Sequence, residues 1–259
     1  MDATFSRRNW LRLAPFSLPL PIAAAPLDRP TDLAIPETFP TQPPVLVREM
    51  VTVAHGNFPR VRELVEDRPT LAKAAWDWGF GDWETALGAA SHTGNRDIAE
   101  YLIAHGARPT LFSATMLGHV EVVKAFVSAQ PGVERIAGPH GISLLAHAKA
   151  GGPKAEPVLR YLGSLGDAGA TPAVPLSDEE LAALAGTYLF GDGPAERIEV
   201  TFNRGQLLFT RQGTVGRPLY HIGGRAFYPA GASAVRIRFA DAVLTVHDPG
   251  LVLTAHRAL

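Results

Sequence analysis

Nine histidines in a chain of 259 residues that has no cysteine raise metal ligation first, because neutral imidazole is the side chain most often found on transition metals. Two pairs lie close in sequence, His140 with His147 and His247 with His256. Neither has the one-turn helical spacing that puts two rings on one face, and neither has an evident acidic third ligand. His119 falls in a turn, where its ring can bond backbone. The spacing therefore predicts structural or solvent-exposed histidines, no metal site and no cofactor. Nucleophilic chemistry lacks its parts as well. No serine has a lysine three residues on, and Leu162-Gly163-Ser164-Leu165-Gly166 misses the nucleophile elbow at its first position. There is no phosphate loop, dinucleotide fingerprint or His-Glu-x-x-His. Without cysteine there are no disulfides, thiolates, sulfur-ligated zinc or lipid-attachment thiol. The expectation is a protein with no catalytic residues and no enzymatic activity.

One segment stands out by composition, Trp76-Asp77-Trp78-Gly79-Phe80-Gly81-Asp82-Trp83-Glu84. It holds three of the four tryptophans. Aromatic side chains anchor interfaces at low entropic cost, so Trp76, Trp78, Phe80 and Trp83 are the candidate binding residues. The competing expectation is that the rings pack over a helical core or against a neighbouring β domain. Trp83, two residues before an expected helix start at Thr85, is the one expected to be buried.

The elements that must carry these residues repeat. Helical periodicity runs in pairs joined by glycine turns: Val47–His55 and Phe58–Glu66 around Gly56, Thr85–Thr93 and Asp97–Ala104 around Gly94. Leu111–Leu117 and Glu121–Ser128 flank Gly118; Ser143–Ala150 and Glu156–Leu162 flank Gly151. The second helices bury Val61, Leu64 and Val65; Ile98, Leu102 and Ile103; Val122, Val123 and Phe126; and Val158, Leu159 and Leu162. So short a connection needs a residue at positive φ, which glycine adopts freely. A single helix pair cannot cover its own apolar face, so neighbours must stack.

Glu84-Thr85-Ala86-Leu87-Gly88-Ala89-Ala90, then Gly94-Asn95, Ile98-Ala99-Glu100-Tyr101-Leu102 and His105-Gly106-Ala107-Arg108-Pro109, resemble an ankyrin repeat. Gly118-His119-Val120-Glu121-Val122-Val123-Lys124 resembles its turn and second helix, and Gly141-Ile142-Ser143-Leu144-Leu145-Ala146-His147-Ala148 its start. The resemblance covers residues 45–168, about four repeats, and implies a helix-pair solenoid that binds a protein partner. The pattern departs from the family where its histidine is Gly88 or Ala146 and its aspartate is Arg108. Pro109-Thr110 leaves almost no finger before the third pair.

Residues 169–178 read as a linker, with Ser177 as a helix N-cap. Residues 179–259 read as antiparallel β: Thr187–Phe190, Ile198–Phe202, Gln206–Arg211, Pro218–Ile222, Ala226–Tyr228, Val235–Phe239, Ala242–Val246 and Leu251–Ala255. The spacing suggests a closed barrel or curled sheet. Leu184-Ala185-Gly186-Thr187-Tyr188 and the later strands are similar to the lipocalin-like domain found C-terminal to β-lactamase-like and penicillin-binding serine hydrolases. That resemblance implies an accessory part, not a catalytic one. Tyr188, Phe190, Phe202, Phe209, Tyr220, Phe227, Tyr228 and Phe239 are expected to face inward, and a small-molecule or lipid calyx is the alternative function.

The start of the chain, Ser6-Arg7-Arg8-Asn9-Trp10-Leu11-Arg12, resembles a twin-arginine export signal carried by Arg7 and Arg8, with small residues Ala23-Ala24-Ala25 closing residues 1–25. Residues 26–44 are a proline-rich linker. A formal net charge of -1 gives no electrostatic case for nucleic acid. The processed chain has no apolar run long enough for stable membrane insertion. The resulting expectation is an α+β chain of two domains, an ankyrin-type solenoid followed by a small antiparallel barrel. It acts as an exported, periplasmic protein-interaction module with an unidentified protein partner. A cytoplasmic protein with a basic N-terminus, and a hydrolase whose site escapes these motifs, are the alternatives.

Overall fold

Four consecutive helix pairs occupy the first half of the structure, a computed structural model that describes residues 41–169, 173–211 and 214–258. The export signal lies outside the described residues, as do most of the proline-rich linker and residues 170–172 of the second linker. The pairs are α1 (Pro44–Val53) with α2 (Phe58–Asp67), and α3 (Ala86–His92) with α4 (Arg96–Ala104). They continue with α5 (Leu111–Leu117) and α6 (Val120–Ala129), then α7 (Leu144–Ala150) and α8 (Glu156–Ser164). The starts are written in the sequence. Asn57 Oδ1 accepts from Arg60 N, Thr85 Oγ1 from Gly88 N and Ser143 Oγ from Ala146 N, and Thr110 with Ser113 forms a reciprocal box. The linker expected to run to Pro44 ends one residue earlier, because a proline at the first helical position loses no needed donor.

The first helices stack in order, α1 on α3, α3 on α5 and α5 on α7, and α7 also reaches α3. Side chains tie successive turns to one another. Asn95 Nδ2 donates to His55 O at 2.6 Å, and Arg96 donates to Met116 O at 3.1 Å and Leu117 O at 3.2 Å. The core runs from Met50, Val61 and Leu71 through Leu87 and Leu102 to Leu144, Val158 and Leu162, all fully or nearly fully buried. On α6 only Val123 is buried, whereas Val122 and Phe126 are each 44% exposed. The expected three-residue stripe narrows because α6 packs chiefly on α5 and α8, and on the short turn Val133–Arg135 that follows it.

Between α2 and α3 the aromatic segment folds as a hairpin, β1 (Ala75–Asp77) against β2 (Trp83–Thr85). Its strands are three residues long, too short for a two-residue period to stand out in sequence. Its tip holds three successive residues at positive φ, Gly79, Phe80 and Gly81.

The second half is a closed antiparallel barrel of eight strands: β3 (Gly186–Leu189), β4 (Arg197–Asn203), β5 (Gln206–Arg211), β6 (Arg217–His221), β7 (Ala226–Pro229), β8 (Arg236–Ala240), β9 (Val243–Asp248) and β10 (Leu251–Arg257). Each strand pairs with its neighbours in sequence, and β10 returns to β3. Helix α9 (Asp178–Leu184) starts with the expected Ser177–Glu180 capping box and packs on β4 and β5. Alternation puts Ile198, Val200, Leu207, Phe209, Leu219, Phe227, Ile237, Phe239, Leu244 and Val246 inside. Tyr188 and Phe227 both pack their rings on Phe239, with centroids 5.8 and 5.5 Å apart, so aromatic side chains fill this interior. Tyr220 and Tyr228, expected inside, instead sit opposite one another on the outer face of β6 and β7. The register makes them out of phase with buried Leu219 and Phe227.

Candidate functional site

Residues Gln42–Leu259 form one compact unit, and its most densely charged interior lies where the β1–β2 hairpin, the ends of α1 and α3, the loop before α7 and the barrel meet. The middle residue of β2, Glu84, points inward and is fully buried. Gly88, one turn on, lies against it: a Cβ there would sit 3.2 Å from Thr85 Oγ1 and in ordinary contact with Glu84 Cγ at 3.6 Å and Pro139 Cγ at 3.7 Å. Gly88 thus lies between the acid and the loop that brings His140.

Three imidazoles close around that acid. His92 ends α3, and its Nε2 lies 2.8 Å from Glu84 Oε1. His55 follows the last turn of α1, with Nε2 3.5 Å from Glu84 Oε2 and 3.2 Å from His92 Nε2. His140 sits in a single 3-10 turn, Pro139–Gly141, in the left-handed region at φ 58°, and its Nε2 is 3.3 Å from Glu84 Oε2. The approach of His92 is off the hydrogen-bond line, so buried Oε1 has no hydrogen-bonded partner, while Oε2 accepts the Trp78 indole N–H at 2.8 Å.

Asp82, 2% exposed, is the second buried acid. Its Oδ1 accepts the His140 backbone N–H and its Oδ2 accepts His140 Nδ1, both at 2.9 Å, while Arg217 Nη1 from β6 stands 3.1 Å from Oδ2. Arg217 also donates to Trp78 O at 2.8 Å and lies over the Phe80 ring. Gly231 completes the enclosure, since a Cβ there would fall 2.5 Å from Asp82 Oδ1.

The charges balance locally. Burial, the largest single influence, pushes both carboxyls up, but bonds and charge from His140 outweigh it. They are joined by His92 and His55 at Glu84 and by Arg217 at Asp82. Glu84 is held down to about 2 and Asp82 below its ordinary value. Burial lowers His140, yet its bonds to Asp82 and Glu84 raise it to about 9, so near neutral pH it carries a proton. His147 is fully buried beside His92 and Phe112, and burial lowers it.

The structure sorts the aromatic residues of the hairpin into different roles. Trp76 and Trp78 are half-buried against the helical core. Phe80 packs on the barrel core, its ring 6.4 Å from that of Phe209. Trp83, expected to be the buried member, is 63% exposed, because alternation along β2 turns its neighbour Glu84 inward and Trp83 outward. The hairpin that the sequence offered as one aromatic patch is therefore three internal struts and one exposed indole.

His140 and His147, paired in sequence, are split between the acid cluster and a neighbouring pocket. His247 and His256 are exposed on β9 and β10, away from the other imidazoles. Reading the repeat turns against one another would have been the better signal. His55 precedes Gly56-Asn57, His92 precedes Gly94-Asn95 by two residues, and stacked first helices bring equivalent turns side by side. The family model described as "Ankyrin repeat" matches residues 82–113, a stretch that contains Asp82, Glu84 and His92. No curated protein matches the chain. The ankyrin repeat points to protein–protein interaction.

Proposed function

We propose that this chain is an exported protein-interaction module without catalytic activity, whose helix pairs form an ankyrin-type solenoid that binds a protein partner. The observation that carries this reading is the ankyrin repeat at residues 82–113, with the exposed indole of Trp83 on the strand that opens it. Large aromatic side chains at the centre of a contact surface are the usual anchors of binding energy. Filling of the barrel by Phe209, Phe227 and Phe239 leaves the calyx alternative with less in its favour.

The test uses the full chain as bait in an extract of exported proteins, beside Trp83→Ala. Truncating an exposed ring should leave the melting temperature nearly unchanged, within about 0.5 kcal/mol of stability. Partner capture should weaken by about 2 kcal/mol or more. Equal capture by both baits would remove Trp83 from the interface, and no stoichiometric partner would count against the whole reading. Trp78→Ala separates the struts from the anchor. It removes a half-buried ring and the indole donor to buried Glu84, and should cost about 2 kcal/mol of folding stability, read by urea denaturation.

Export rests on Arg7 and Arg8. Changing both to lysine keeps the charge and should trap precursor in the cytoplasm, as seen by fractionation and immunoblot. Equal amounts of processed protein outside would defeat a twin-arginine route.

A further inference from the structure

Ligand atoms of His55, Glu84, His92 and His140 all lie within 4.8 Å of one another. We propose that these four side chains form a tetrahedral site for a zinc-class divalent transition-metal ion, bound by the three Nε2 atoms and Glu84 Oε1. The proposal goes beyond the protein-interaction reading and does not rest on it.

The distances suit such an ion. Zinc bonds of about 2.0–2.1 Å imply donors about 3.3 Å apart around a tetrahedron. His92 Nε2 stands 2.8 Å from Glu84 Oε1 and 3.2 Å from His55 Nε2, while the Nε2 atoms of His140 and His55 stand 3.3 and 3.5 Å from the other oxygen of the same carboxylate, Oε2. Two of the rings have an acceptor at Nδ1. His55 Nδ1 faces Val51 O at 3.0 Å and His140 Nδ1 faces Asp82 Oδ2 at 2.9 Å. Holding the Nδ1 protons on these acceptors would give Nε2 to an arriving ion, as outer partners do around bound metals, with His140 releasing its second proton as the ion binds.

An independent mark is the orphaned oxygen. Glu84 is fully buried, Oε2 is held by the Trp78 indole, and Oε1 has no hydrogen-bonded partner. A buried carboxylate oxygen left without a donor is costly. A cation at the centre of the three imidazoles satisfies it, with the indole fixing the carboxylate so that it binds through one oxygen. The donor set chooses the class of ion. Imidazole nitrogens suit zinc, copper and nickel, whereas calcium and magnesium take shells of oxygen. Four protein donors fill a tetrahedron and leave no open position for substrate, the pattern of a structural centre. The ion would join the turn after α1, the hairpin, the end of α3 and the loop before α7. In its absence the proton on His140 supplies the positive charge.

Full-length protein, purified without a polyhistidine tag and stripped with a chelator, is titrated with cobalt(II) and then zinc(II). The expected result is one cobalt per chain with the intense visible absorption of tetrahedral coordination, displaced by one zinc. The melting temperature should rise with zinc and not with magnesium. His55→Gln removes a donor whose side chain is 32% exposed and keeps the helix pairs intact. It should abolish the band and weaken zinc binding by roughly 100-fold or more, the upper end of what losing an outer partner does. Glu84→Gln should do the same. His105→Gln, an exposed histidine outside the cluster, should bind like the unaltered chain. Failure of the unaltered chain to take up one cobalt in tetrahedral form would overturn the proposal. So would equal zinc affinity in a folded His55→Gln variant.

Discussion

Asp82→Ala is expected to lower the unfolding free energy by about 3 kcal/mol, measured by urea denaturation of the full chain. Asp82 accepts two bonds from His140 and faces the Arg217 guanidinium, at distances of 2.9, 2.9 and 3.1 Å. Removing one partner of a buried ion pair leaves the other charge without compensation, a loss of about 3–5 kcal/mol. The lower figure applies because the Arg217 and His140 side chains are 15% and 33% exposed and so remain partly solvated. The substitution also frees the loop before α7 and cuts a link between hairpin and barrel. A partial restoration should come from Asp82→Ala with Arg217→Met, since an apolar pair strands no charge. A single variant as stable as the unaltered chain would show that Asp82 does not hold these elements together.

Gly118→Ala should cost about 3 kcal/mol, with a fall in melting temperature and a larger share of insoluble protein. Gly118 sits at φ +84°, and an added Cβ would fall 2.2 Å from Lys154 O. Two penalties combine. A side chain at positive φ costs about 1 kcal/mol, and forcing a methyl group against backbone costs about 1–3 kcal/mol more. Lys154 belongs to the turn between α7 and α8, so the clash pries successive helix pairs apart, where stability depends on neighbouring interfaces. Gly152→Ala is the control. It has a similar φ of +63° but nothing within 4 Å of its added Cβ, and should show only the backbone penalty. Equal losses at the two glycines would mean that the close approach contributes nothing.

What could be read in the sequence is what the chain decides locally. Ser177 caps its helix as its residue type placed it, while Thr85 and Ser143, expected as first helical residues, turn out to be the caps of helices that start one residue on, their side chains bonding backbone three residues ahead. The eight strands of the barrel follow from alternation and turn residues within a few positions. Its closure does not, because the pairing of Leu189 with His256 depends on every intervening strand. The acid and histidine cluster was illegible for the same reason. His55, His92 and His140 belong to three helix pairs, and no spacing along the chain places His140 with the other two. The sequence did hold one clue, since His55 and His92 stand at matching turns of successive helix pairs. Trp83 and Glu84 show the limit of burial judged from residue type: a three-residue strand turned the ring outward and the acid inward.

Barrel closure by β10 sets an order of events for the newborn chain. The helix pairs make contacts mostly with their neighbours in sequence, so they can collapse as they emerge from synthesis. The barrel cannot. Until β10 is made, the edges of β3 and β9 have no mate, and such edges recruit strands from other molecules. The hairpin waits too, since the arginine that faces Asp82 and the phenylalanine that receives Phe80 lie in the later half. The first half is therefore born with a buried acid still lacking one of its two cations and an apolar ring still facing water. Completion of the hairpin and the barrel is timed by β10.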